Sequence, residues 1–123
     1  MIAPMAGSVL VVDDDAVFRR LARRTLAASE LEVVGEAATI AEAMALAEAL
    51  KPDGVLVDIG LPDGDGVALA RALTELPHGP RVVLTSTTPD AASLQEVQAC
   101  GAEAFIAKEA LPNAPLERLL SRG

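Results

Sequence analysis

Residues 55–66 read Val55-Leu56-Val57-Asp58-Ile59-Gly60-Leu61-Pro62-Asp63-Gly64-Asp65-Gly66. A short, continuously apolar run ends in a carboxylate, and a turn-rich loop follows with three glycines, a proline and two more acids. Starting from Gly54, the run has the composition of a strand covered on both faces. In an open α/β sheet, ligands bind in the crevice beyond the carboxyl ends of the strands. Asp58 stands where such a site forms. The rest of the chain is therefore read for residues that can reach it.

Four other short apolar runs accompany Gly54–Asp58: Ser8–Val12, Leu31–Gly35, Arg81–Ser86 and Ala104–Ala107. Each is followed by a helical pattern. After Asp13-Asp14-Asp15, the residues Phe18, Leu21, Ala22 and Leu26 recur at helical spacing. Arg19, Arg20, Arg23 and Arg24 fall on the opposite, solvated face. Thr39-Ile40-Ala41-Glu42 has capping-box spacing. It opens an alanine-rich helix, Ile40–Leu50, with Ala43, Met44, Ala47 and Leu50 as its stripe. Val67–Leu76 is a third helix. Ala91–Cys100 is a fourth, opened by Pro89-Asp90 and closed by Gly101. Pro115–Leu120 is the last, with proline early, where its missing N–H does no harm. Five (βα) units of this length imply parallel strands joined by right-handed crossovers. The expected fold is α/β: a doubly wound three-layer sandwich around a five-stranded parallel sheet.

The chain of 123 residues is expected to be one domain, residues 1–123 with a core at about 8–120. It can bury a core without metal or disulfide staples. Its single cysteine, Cys100, excludes an internal disulfide and suits a reducing compartment. A net charge of −8 argues against broad binding to nucleic acid or anionic membrane, which rests on Lys and Arg. No apolar run approaches the length of a membrane span. Met1–Gly7 lacks the basic region of a secretory signal, so a cytoplasmic location is expected.

Just past the strand ends lie Asp13 and Asp14, Asp58, the hydroxyls Thr85, Ser86 and Thr87, and Lys108. Glu36, past an expected edge strand, is set aside. Singly, each acid reads as a helix cap or turn residue and Lys108 as a surface lysine. Asp63 and Asp65 read as turn formers, and Asp15 as a cap. Jointly, the strand-end groups suit phosphoryl transfer to a carboxylate. Clustered oxygens attract a hard cation such as Mg²⁺. Asp58 can act as a nucleophile forming an acyl phosphate. An ammonium and a hydroxyl can neutralise and hydrogen-bond phosphoryl oxygens.

Four motifs now stand together: VLVVDDDAVFRRL from Val9, VLVDIGLPDGDG around Asp58, VVLTSTTPD from Val82, and GAEAFIAK ending at Lys108. From about Ser8 to Leu120 the chain resembles the receiver domain of bacterial two-component response regulators. The resemblance implies a flavodoxin-like sheet of order 2-1-3-4-5. It implies Asp58 as phospho-acceptor and Mg²⁺ as cofactor, bound by Asp14, by Asp58, by Asp13 mainly through water, and by the backbone carbonyl of Gly60. It implies Lys108 as partner of the phosphoryl group. Spacing back from Gly101 and Lys108 selects Ser86 as the switch hydroxyl, and Phe105 matches the switch aromatic.

The implied partners are a sensor histidine kinase as donor and a downstream protein or a C-terminal output domain. Neither direct nucleic acid binding nor membrane binding is expected, and the state is a monomer or a phosphorylation-linked homodimer. The domain would be a phospho-acceptor rather than an enzyme with turnover. Where many receivers have proline after the lysine, often cis, this chain has Glu109, with Pro112 later, so a cis bond is not expected there. A rival reading is a small Mg²⁺-dependent phosphatase of the haloacid-dehalogenase type. Asp13 would be its nucleophile and Asp15 its acid/base, but no acidic pair follows Lys108 to hold metal and there is no room for a substrate-covering cap.

Overall fold

The computed structural model describes residues 6–121. The signal-sequence expectation over Met1–Gly7 and the outer bounds of the 1–123 domain fall largely outside these residues. Five strands, β1 Gly7–Val12, β2 Leu31–Ala37, β3 Gly54–Asp58, β4 Arg81–Ser86 and β5 Ala104–Ala107, alternate with helices. The helices are α1 Ala16–Ala28, α2 Ile40–Leu50, α3 Gly66–Thr74, α4 Leu94–Ala99 and α5 Leu116–Leu120. The strands pair in parallel in the order β2-β1-β3-β4-β5. Architecture and strand order are as expected.

β3 is central and all five of its residues are buried, which is why its sequence is unbroken by polar residues before Asp58. Strand side chains alternate between faces. Val55 and Val57 join Leu69, Ala70 and Leu73 of α3 and Ala43 and Ala47 of α2 on one face. Leu56 and Val83 join Ala22 and Leu26 of α1 and Leu116 and Leu120 of α5 on the other.

Several local expectations are corrected. α4 is shorter than Ala91–Cys100, because Ser93 and Glu96 form a full capping box that starts the helix there. Pro115 is the residue before α5, not its first turn. Lys108–Asn113 forms a 3₁₀ segment, and Gly60–Leu61 pairs with Gly64–Asp65 as a two-residue ribbon. Neither was expected. Leu21, assigned to the buried stripe of α1, is 53% exposed, and Leu50 of α2 is also exposed. Cys100 is buried at the end of α4. Every described peptide bond is trans.

Candidate functional site

The carboxyl ends of β1, β3 and β5 bring Asp13, Asp58 and Lys108 to one rim. Asp13 follows Val11 by two residues, and Asp58 follows Leu56 by two. Both therefore project to the α1–α5 face of the sheet. Asp13 is fully buried and Asp58 is 7% exposed, while Asp14 is exposed. One oxygen from each of the three lies within 4.8 Å of the other two. Lys108 Nζ stands 2.7 Å from Asp13 Oδ2 and 4.0 Å from Asp58 Oδ2. With Asp13 it forms an ion pair, not an aligned hydrogen bond. The other oxygen of Asp13 accepts from Asp15 N–H at 2.8 Å. Three hard oxygen donors, one of them nearly free in solvent, fit a small divalent cation.

Burial raises the Asp58 carboxyl pKa from 3.8 to about 6, with a further push from Asp13 and a smaller one from Asp14. Lys108 and the Gly60 N–H act the other way. The loop after Asp58 is tightly closed. Ile59 N–H donates to Thr85 C=O at 3.0 Å, and Gly66 N–H donates to Ile59 C=O at 2.8 Å. A Cβ at Gly66 would stand 2.2 Å from the Asp58 carbonyl oxygen, whereas one at Gly60 would meet nothing within 4 Å. Gly66 is thus required by contact. Gly60 is not, and its backbone is exposed.

The three candidate hydroxyls are not equivalent. Thr85 pairs with Asp58 in the β3–β4 ladder and projects to the same face. Its Oγ1 is buried and has no hydrogen-bond partner among the described residues. Ser86 projects to the opposite face and is partly exposed, and its Oγ accepts from Thr88 N–H at 3.1 Å. Thr87 is exposed. Phe105 packs, half-buried, against the core cluster on the α2–α4 face.

Other acids hold the frame of the site. Asp15 caps α1 through Val17 N–H, as expected, and Asp65 caps α3 through Val67 N–H. Asp63 is no mere turn residue. It reaches back to accept from Ile40 N–H at 2.8 Å and Ala41 N–H at 3.2 Å, which ties the loop after Asp58 to the start of α2. Those bonds hold its carboxyl below the usual range, the Ile40 N–H most of all. Glu36, which sequence reasoning set aside, accepts from Arg19 Nε at 2.9 Å and pairs with Arg23 at 2.8 Å. Arg19 also donates to the Asp13 carbonyl. Two of the four arginines of α1 are therefore engaged, while Arg20 and Arg24 are exposed. The Arg23 hydrogen bond is the main cause of the lowered Glu36 carboxyl. The Asp63 contact spans 22 and 23 residues of sequence, so no local pattern marked it. No local signal marked Glu36.

A doubly wound parallel sheet carrying two buried acids, an exposed third and a lysine on one rim defines a class: an α/β domain with an acidic strand-end site compatible with a divalent cation. The chain matches the response regulator receiver domain family over residues 9–120 and belongs to it. It is 44% identical over 103 residues to the DNA-binding transcriptional activator DevR/DosR of Mycobacterium tuberculosis, covering 82% of this chain and 47% of that protein. It is 30% identical over 115 residues to the chemotaxis protein CheY of Thermotoga maritima, covering 94% and 96%. Its fold is similar to the signal receiver domain of the putative response regulator NarL from Mycobacterium tuberculosis. There the TM-score is 0.82 and the identity 32%, with 94% of each chain covered. The chain spans about half the length of the first transcriptional regulators it matches, 47% and 49%. Among the described residues, no helix is long and apolar enough to cross a membrane. The phosphatase reading finds no support in the family, and its supposed acid/base, Asp15, has a carboxylate oxygen engaged as a helix cap.

Proposed function

We propose that this domain is a phospho-acceptor switch in which Asp58 takes a phosphoryl group from a partner histidine kinase. The observation that carries this reading is the convergence of Asp13, Asp14, Asp58 and Lys108 on one rim. Asp14, Asp58, the Gly60 carbonyl and, through water, Asp13 would hold Mg²⁺. When bound, the ion neutralises the acid cluster and draws charge from phosphoryl oxygens. The Asp58 carboxylate attacks phosphorus, the bond to the donor breaks, and the donor leaves with that electron pair. Lys108 moves its charge from Asp13 toward the new phosphoryl oxygens.

Thr85, not Ser86, supplies the switch hydroxyl. Its support is a shared face with Asp58 and an unpartnered Oγ1, whereas the Ser86 hydroxyl is already engaged. Phe105 follows that hydroxyl, and the face around α4 and β5 then changes its affinity for a downstream protein or an output domain. This is a local charge event biasing a two-state element. The unit acting is the single domain, core about 8–120, as monomer or phosphorylation-linked homodimer.

The test is intact mass after incubation with phosphoramidate, with and without Mg²⁺. One phosphoryl group should be gained only with Mg²⁺, and Asp58→Asn should gain none. Label that survives Asp58→Asn but is lost in Asp13→Asn would transfer the nucleophile to Asp13 and end this reading.

A further inference from the structure

The acceptor site has a wall that the family assignment does not account for. Phe18, one of two aromatic residues in the chain, lies on α1 with its ring centroid 4.2 Å from Lys108 Nζ. That is well inside the ~6 Å at which an ammonium is held by a ring face. The ammonium therefore has three neighbours: Asp13 at 2.7 Å, the Phe18 ring at 4.2 Å and Asp58 at 4.0 Å. Phe18 is half-buried against the α1–α5 core, and Leu111 of that core helps line the groove it shares with Lys108, Leu21 and Ala22. The ring is thereby packed against the core on one side, and the lysine side chain is left only 16% exposed.

The three contacts differ in how they respond to displacement. A charge pair at contact distance restrains the ammonium in every direction. Attraction to a ring face restrains it mainly along the ring normal and lets it slide sideways. Asp13 alone would keep the ammonium nearer itself, at 2.7 Å, than Asp58, at 4.0 Å. Solvent alone would let the long stem sample many rotamers.

We propose that Phe18 is a positioning residue for phosphoryl transfer: its ring face is the track along which the Lys108 ammonium passes from Asp13 to the phosphoryl group on Asp58. The inference rests on the acceptor function proposed above. The contact with substrate stays with Lys108, and Phe18 acts only through it.

The test uses the full chain, the Phe18→Leu and Phe18→Tyr variants, phosphoramidate with Mg²⁺, and NMR of the lysine side chains. In the unaltered protein the Lys108 Hε signals should stand upfield of those of Lys51, shifted by the ring. Phe18→Leu keeps apolar bulk, should lose that shift, and should slow label uptake about tenfold, the equivalent of about 1.4 kcal/mol in the barrier. Final labelling should be unchanged. Phe18→Tyr, which restores a ring face, should recover both shift and rate to within about twofold. Unshifted Lys108 signals in the unaltered protein overturn the proposal without any variant. So does a Phe18→Leu rate equal to that of the unaltered chain. An unaltered chain that takes up no label at all overturns the acceptor function, and this proposal falls with it.

Discussion

Asp58 and Thr85 face each other across the β3–β4 ladder, and one is a buried carboxyl while the other is a buried hydroxyl without a partner among the described residues. An orphaned hydroxyl costs free energy in the folded state. Thr85→Val, which keeps the shape, should stabilise the unphosphorylated domain by about 1 kcal/mol in urea unfolding. The same change should remove the NMR response of Phe105 to beryllium fluoride with Mg²⁺. Ser86→Ala should leave that response intact. The reverse pattern would return the switch role to Ser86.

The carboxyl of Asp58 gives the metal-free domain an unusual pH dependence. The folded chain keeps its proton up to about pH 6, while an unfolded chain releases it near 3.8. Stability from that proton is complete below pH 3.8 and is lost as pH rises through about 6. Asp58→Asn should therefore be the more stable protein at neutral pH, by an upper bound of about 3 kcal/mol. The gain should vanish toward pH 4 and shrink when Mg²⁺ is added. Urea titrations across that range, at fixed ionic strength, check the sign. A gain that grew on acidification would refute it.

Two glycines of the loop after Asp58 should behave in opposite ways. A Cβ at Gly66 would run into the Asp58 carbonyl, which belongs to a strand paired with β4, while the Gly66 N–H is itself bonded to Ile59 C=O. Gly66→Ala should cost about 3 kcal/mol or more, at the upper end for overpacking. Gly60→Ala has open space and should fold normally, with its carbonyl retained. Thermal melts by circular dichroism distinguish the two.

Asp63 joins the loop after Asp58 to α2 over 23 and 22 residues of sequence. Asp63→Ala should leave the first-turn amides of α2 without acceptors. Amide exchange should quicken at Ile40 and Ala41 and stay unchanged in α1. Equal exchange in Asp63→Ala and the unaltered chain would show that water replaces the carboxylate at no cost.

The parallel (βα) order and the strand-end positions of Asp13, Asp14, Asp58 and Lys108 were legible before any coordinates. Apolar runs and their end residues are local features, and parallel winding sends every strand's carboxyl end to the same rim. The sequence order alone therefore brings Asp13, Asp14 and Asp58 to one rim.

Contacts that depend on two distant backbones could not. Between Val9 and Leu10 the β1–β2 register slips by one residue, so that Val33 pairs with Val9 but Glu36 with Val11. That single extra residue turns Glu36 to the face of α1, where Arg19 and Arg23 wait. Thr85 and Ser86 differ by the same margin: a shift of one residue exchanges the two faces of a strand, so spacing along the chain did not choose between them. The ring of Phe18 over Lys108 likewise joins α1 to the end of β5, 90 residues apart in the sequence. Periodicity determined which residues could share an edge of the sheet. Only the packing of helices on that sheet decided which of them touch.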